Sequence, residues 1–372
     1  MNRVSSNLSA RPKAACDTER TARSARTVVF TRAAIRPLAA TACALLLLAG
    51  GAARAGGQAG GTVRQSAEPR GDVRQVHDPA LIRAGATYYL FSTRAGLSVR
   101  CSNDLLNWRL CGDVFAHLPQ WAVEDVPGVR GLWAPDVAFF NGKYHLYYSV
   151  STFGSNRSSI GLATNRTLDP DSPQYRWEDH GKVVGSQRAD DWNAIDPNVV
   201  LDEAGVPWLS FGSFWGGIKM RRLDPATGKL DARDETLYPL AARPRGPGEP
   251  GAVEAPFVVR KSGYYYLFVS FDFCCRGANS TYNVRVGRSR RVTGPYADRD
   301  VRDMREGGGT PVVSGDARWR GTGHCAVLLE AGGDKLVYHA YDAEWRGVPT
   351  LRVSPLVWDA QGWPSVVAAG KR

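Results

Sequence analysis

The chain has 372 residues and a formal net charge of +11, from 47 Lys and Arg against 36 Asp and Glu. Residues 1–55 hold nine basic residues and two acids, so the other 317 carry only about +4, which excludes a dedicated nucleic-acid binder with a long basic stripe. All 11 Trp fall in those 317 residues, enough aromatic surface for a core and a binding cleft, which excludes disorder.

The first element in chain order is an apolar run of eleven, Leu38 to Leu48, followed by Gly50-Gly51-Ala52-Ala53-Arg54-Ala55. A basic segment, a short apolar core and a small-x-small exit predict a secretory signal cleaved near Ala55. The run is too short for a bilayer-spanning helix, which needs about 20 apolar residues; the competing reading is a buried core helix. The basic segment is long for a signal, which points to a translation start downstream, near Val28. Residues 56–71, GGQAGGTVRQSAEPRG, read as a flexible linker, and 72–372 as one domain. Cleavage leaves five cysteines, an odd number. Cys101 and Cys111 flank a turn and either bridge a hairpin or pack as thiols, and the bridging of adjacent Cys274 and Cys275 is open. No spacing matches a zinc site.

Beyond the linker almost nothing reads as helix. TYYLFST, KYHLYYSVS, VPWLSFGSF, YYYLFVSF and KLVYHAY are β-rich aromatic runs separated by Gly, Asn, Asp and Pro. Each follows a lead-in of one type: His77-Asp78-Pro79, Trp133-Ala134-Pro135, Ile195-Asp196-Pro197, Glu254-Ala255-Pro256 and Gly323-His324-Cys325. The intervals from Pro79 onward are 56, 62, 59 and 69 residues. Five units of about four strands each predict an all-β, five-bladed β-propeller. A β-sandwich with coincidental turns is the alternative.

In a propeller the first strand of each blade lines the axis, so equivalent positions converge at one mouth. Asp78, Asp196 and Glu254 are then expected at equivalent places, with His324 in the fifth unit. Singly, an Asp before Pro caps a turn. Together, converging carboxylates repel and shift each other's pKa, an arrangement that chemistry uses. Carboxylates in a cleft rimmed by rings such as Trp133 and Trp215 fit glycoside hydrolysis, with sugar faces stacking on the indoles; core packing is the bland reading of each ring.

At these residues the chain resembles glycoside hydrolase family 43, and within it the endo-1,5-α-L-arabinanases. VHDPALI, LWAPDV, NAIDPNVV and VEAPFV carry the family likeness, and STFGSNRS, GSFWGG and FDFCCRGANSTYN the narrower one. The resemblance spans essentially all of 72–365. It implies a secreted, monomeric, inverting hydrolase acting on arabinan, a pectin side chain, with no nucleic-acid partner and no membrane association in the mature form. By the same resemblance Asp78 is the general base, Glu254 the general acid, and Asp196 the residue that tunes the acid's pKa and orients substrate. An inverting pair needs roughly 6.5–9.5 Å between carboxyls for the attacking water. Substrate contacts are implied at Trp133, Phe153, Gly154, Asn193, Ala194, Ile195, Asp196, Ser213, Phe214 and Trp215. His324 is implied to lie beside an ion, usually calcium held mostly through waters, with no organic cofactor.

The segment at 241–253 (AARPRGPGEPGAV) departs from the pattern and directly precedes Glu254. It leaves endo against exo action open, along with arabinofuranosidase or β-xylosidase activity on the same fold. A sugar-binding propeller without catalysis is a reading from another class, against which the full carboxylate set argues. A protein-interaction propeller predicts flat apolar patches instead of axial acids.

Overall fold

A computed structural model describes residues 68–367; the signal and most of the linker lie outside the described residues. Five blade sheets follow one another along the chain, each built on four antiparallel strands in sequential order, and the first carries an added two-residue strand, Arg70–Gly71, parallel to its outer strand Asn107–Asp113. Their first strands are Ala80–Ala84, Trp133–Phe140, Asn198–Leu201, Val253–Lys261 and Trp319–Leu328. Each first strand neighbours the next, and the fifth neighbours the first, so they form a closed ring around an axis. This is the five-bladed propeller that the repeat predicts.

The aromatic runs are the second strands: Thr87–Ser92, Lys143–Val150, Pro207–Phe211, Tyr264–Phe271 and Lys335–Asp342. Each is sandwiched between two neighbouring blades, which is why these runs are apolar on both faces. The period of two divides their side chains between the two interfaces. Tyr148 packs with Phe91 between blades 1 and 2, whereas Tyr147 packs with Leu209 and Phe211 between blades 2 and 3. Leu267 and Val269 fill the interface of blades 3 and 4, and Tyr266 and Phe268 that of blades 4 and 5. The fifth interface joins Val337 and Leu351 to Val76, Tyr88 and Leu90.

Among the described residues no blade borrows a strand from the other end of the chain. The ring is closed by that fifth apolar interface and by backbone bonds from the segment ahead of blade 1. The Val73 carbonyl accepts from the Leu351 N–H at 2.8 Å, and the Val76 N–H donates to the Pro349 carbonyl at 3.2 Å. Cys101 and Cys111 are joined across the third and fourth strands of blade 1, Cys274 and Cys275 are joined to each other, and Cys325 is a buried thiol.

Candidate active site

Every blade enters its first strand through one left-handed residue: Asp78 (φ 51°), Ala134 (44°), Asp196 (58°), Ala255 (54°) and His324 (48°). A side chain at such φ is strained by about 1–2 kcal/mol, so the surroundings must hold it. They do so through a relay between blades. A residue on the second strand or just beyond it accepts a hydrogen bond from the left-handed residue's N–H in the next blade. Thr93 Oγ1 accepts from Ala134 (2.8 Å), Ser149 Oγ from Asp196 (2.9 Å), Ser270 Oγ from His324 (2.8 Å) and His339 Nδ1 from Asp78 (3.1 Å). Gly212 holds that place in blade 3 and has no side chain. The orphaned N–H of Ala255 donates instead to Asp196 Oδ2 at 3.1 Å.

This register corrects one expectation. Asp78, Asp196 and His324 are equivalent, but Glu254 lies one residue earlier, at the place of His77, Trp133, Ile195 and Gly323. Glu254 pairs with Ser270 as Trp133 pairs with Ser149 and Gly323 with His339. The ladder irregularity that follows, between Glu254 and Phe257, separates this kinked entry from the regular strand.

Asp78 is buried, and three side chains converge on its carboxylate. Thr93 Oγ1 donates to Oδ2 at 2.6 Å, His77 Nδ1 lies 2.7 Å from Oδ2, and His324 Nδ1 lies 3.1 Å from Oδ1. Burial alone pushes this carboxyl up, but the two imidazoles outweigh it and hold Asp78 well below the usual carboxylate range. His77 is itself fixed from behind: its Nε2 meets the Tyr341 hydroxyl at 2.8 Å, its ring stacks on His339 at 4.1 Å, and Tyr341 accepts from the Cys275 N–H at 2.7 Å.

Glu254 is also buried, and both its oxygens are engaged: Ser213 Oγ donates to Oε2 at 2.6 Å and Tyr282 Oη to Oε1 at 2.8 Å. Burial nevertheless pushes its carboxyl up, against the lowering effect of these two donors. Asp196 is pushed well above its ordinary value, first by burial and then by repulsion from Glu254 and Asp78. The site therefore holds one carboxyl poised to stay ionised and two that retain a proton to higher pH.

Burial disfavours a charged His324, yet the surrounding carboxylates, Asp78 first, raise it to about 9. Its Nδ1 faces Asp78, so the neutral tautomer carries its proton there and leaves the Nε2 lone pair free. A carboxylate behind an imidazole is the arrangement that prepares a histidine to ligate a metal. Among the described residues no three-ligand cluster includes His324. The side chains thus fit an ion held through one nitrogen and waters, and not an all-oxygen calcium cage.

The residues implied to contact substrate are distributed unevenly. Trp133 is half-buried and Phe153 is 84% exposed, and together with Thr93 and Arg94 they line a trough of about 460 Å³. Gly154 is next to Phe153, with φ 75° and open space where a Cβ would stand. Ser213 is on Glu254, as above. Phe214 and Trp215 are half-buried at φ 51° and 39°, and the Phe214 ring lies 6.0 Å from Phe273. Asn193 is buried with an unpartnered Oδ1, an acceptor that a sugar hydroxyl would satisfy. Ile195 is nearly buried, and Ala194 is wholly buried in the apolar cluster between blades 2 and 3, its N–H bonded to Ser186 Oγ.

Thr93, His77, Tyr282 and Tyr341 join the site without a sequence signal of their own. His77 adjoins Asp78, and only its support by Tyr341 and His339 is long-range, whereas Thr93 and Tyr282 reach Asp78 and Glu254 from 15 and 28 residues away. Asp136, in the second lead-in, serves the fold: it accepts from the Val199 N–H at 2.7 Å and from Asn198 at 3.3 Å, and burial raises it to about 6.

A propeller whose axis opens on buried carboxyls and imidazoles, with exposed rings along the rim, defines a glycoside hydrolase. Residues 73–364 match Glycosyl hydrolases family 43, and the chain belongs to that family. It is 46% identical over 299 residues to an extracellular exo-α-(1→5)-L-arabinofuranosidase of Cellvibrio japonicus, covering 78% of this chain and 86% of that one. It is 44% identical over 295 residues to an extracellular endo-α-(1→5)-L-arabinanase of Bacillus subtilis, covering 78% and 87%. The structure of an endo-arabinanase from Bacillus licheniformis superposes with a TM-score of 0.74 at 47% identity, covering 80% of this chain and 99% of that chain. The protein is an arabinan-acting hydrolase of this family.

Proposed function

We propose that the protein cleaves internal α-1,5-L-arabinofuranosidic bonds of arabinan with inversion at the anomeric carbon. The observation that carries this reading is the split in charge state among the axial acids: Asp78 is held ionised by His77 and His324, while burial keeps Glu254 protonated to higher pH. Asp78 is the general base that takes a proton from the attacking water, and Glu254 the general acid that protonates the leaving oxygen. Asp196 orients substrate, repelled by Glu254 so that one of these two buried carboxyls keeps a proton, and the Ala255 N–H fixes its position. Trp133 and Phe153 stack on sugar rings beyond the reacting bond. His324, once neutral, would hold a metal ion through Nε2, and such an ion would supply positive charge to the site in place of the imidazolium. Residues 1–55 direct the protein out of the cytoplasm, where the mature chain acts as a monomer; no helix among the described residues is long and apolar enough to cross a membrane.

Exo action is the second reading, favoured by the exposed hairpin of Arg245–Gly246 with Glu249–Pro250, which directly precedes the Glu254 strand. Debranched linear arabinan separates the two. Oligomer ladders that shorten with time, absent for Glu254→Gln, establish endo cleavage and the acid together. Monomer or one short oligomer from the first time point overturns endo action, and no product from folded protein overturns the substrate.

A further inference from the structure

Blades 1 and 5 enclose a second cavity, of about 620 Å³, whose lining includes Arg70, Arg74, Arg94, Arg100, Arg318 and Arg352. Only three carboxylates line it, Glu68, Asp72 and Asp342. Arg318 pairs with Asp342 at 3.0 Å and Arg352 with Glu68 at 3.1 Å. The other four arginines make no ion pair among the described residues. Arg70 bonds Asn107, and Arg74 lies 3.4 Å over the ring of Trp345.

Arg100 is the informative one, at 4% exposed. Its guanidinium is held by neutral acceptors alone: the Asp72 carbonyl (2.7 Å), the Arg74 carbonyl (3.4 Å), and the hydroxyls of Ser92 (3.0 Å) and Ser98 (2.8 Å). No carboxylate bonds this buried cation, those of Asp72 and Asp113 acting on it only from farther away, so it keeps a desolvation cost that an anion in the cavity would offset.

The cavity's position narrows what that anion is. Arg94 lines both this cavity and the trough that holds Trp133 and Phe153, and it follows Thr93, which bonds Asp78. An anion here is therefore continuous with a saccharide in the cleft. The volume lies within the range of small-molecule sites, about 300–1,000 Å³, roomier than one inorganic ion needs. Guanidinium forks match carboxylates in a planar, bidentate manner.

The geometry points to a subsite for a carboxylate-bearing sugar, a hexuronate, adjoining the cleft. This goes beyond hydrolysis of neutral arabinan and rests on that reading in one respect: pectin, which carries arabinan, is acidic, and that selects a uronate. The subsite would hold the enzyme where a neutral side chain meets its acidic main chain.

Isothermal titration with trigalacturonate tests it, with arabinotriose and inorganic phosphate as comparators. Trigalacturonate is expected to bind with a Kd near or below ~1 mM, more weakly as salt rises. Arg74→Gln and Arg94→Gln are each expected to weaken it roughly tenfold, with melting temperatures unchanged. Arg74→Gln should raise KM on intact pectic arabinan and leave debranched neutral arabinan unaffected. No binding of trigalacturonate, binding indifferent to both variants, or phosphate binding as tightly would each overturn the subsite. Failure of the wild-type protein to cut debranched arabinan would instead overturn the proposed substrate, and the titration would still decide the cavity.

Discussion

The carboxylate of Asp196 accepts a hydrogen bond from the backbone N–H of Ala255, the residue that follows Glu254. In the other four junctions this bond is made by a side chain on or just after the second strand; here Gly212 leaves the place empty and an axial acid fills it. One absent side chain thus ties Asp196 to the strand that presents Glu254. The acid pair is held together by the same relay that supports the five strained entries of the ring.

Asp78→Asn and Glu254→Gln remove a base and an acid without changing volume. Each should lower kcat on linear arabinan by about 10²–10⁴-fold, the usual contribution of a positioned proton-transfer group. Both variants should melt within a few degrees of wild type. Near-normal turnover in either would refute the role given to that residue.

Tyr282→Phe deletes a donor to Glu254 Oε1. That donor favours the ionised carboxylate, so its loss raises a carboxyl already pushed up by burial. Because Glu254 must be protonated to act, the alkaline limb of the kcat/KM profile should move to higher pH by about one unit. A profile that falls in height but keeps its position would mean that Tyr282 only packs.

Gly323→Ala reaches the same bond from behind. A Cβ there would clash with the Tyr282 ring, so the ring must shift and disturb its bond to Glu254. The substitution should cost about 1–3 kcal/mol of stability and depress kcat, although Gly323 itself bears no reactive group. Unchanged melting together with unchanged activity would show that the ring has room to move.

His324 should make stability depend on pH in chelator-treated protein. Its folded pKa of about 9 is above the ordinary 6.5, so its contribution is complete below 6.5 and is lost as pH rises through 9. The amount is of the order of 3 kcal/mol. Melting temperature should decline across that window for wild type and stay flat for His324→Gln. Parallel curves would show that the imidazole is not charged in the folded protein.

Much of this was legible in the chain itself. The near-60-residue interval and the five aromatic runs define the blades, because a strand packed between two sheets must be apolar on both faces. Asp78, Asp196 and His324 were found because each sits at the same step of the repeat. The repeat places Glu254 at that step as well, whereas the structure has it one residue earlier, since the register of a kinked entry depends on which residue adopts positive φ. Spacing does not encode that choice.

Composition and periodicity thus determined the architecture and where its acids gather, since both follow from the local pattern of apolar and charged residues. Only the closed ring decided how those acids behave. The imidazoles that hold Asp78 ionised come from His77 and His324 on different blades, while Glu254 keeps its proton to higher pH through burial, against the donors Ser213 and Tyr282. Burial, which sets the direction of most of these shifts, exists only after the blades have packed around a common axis.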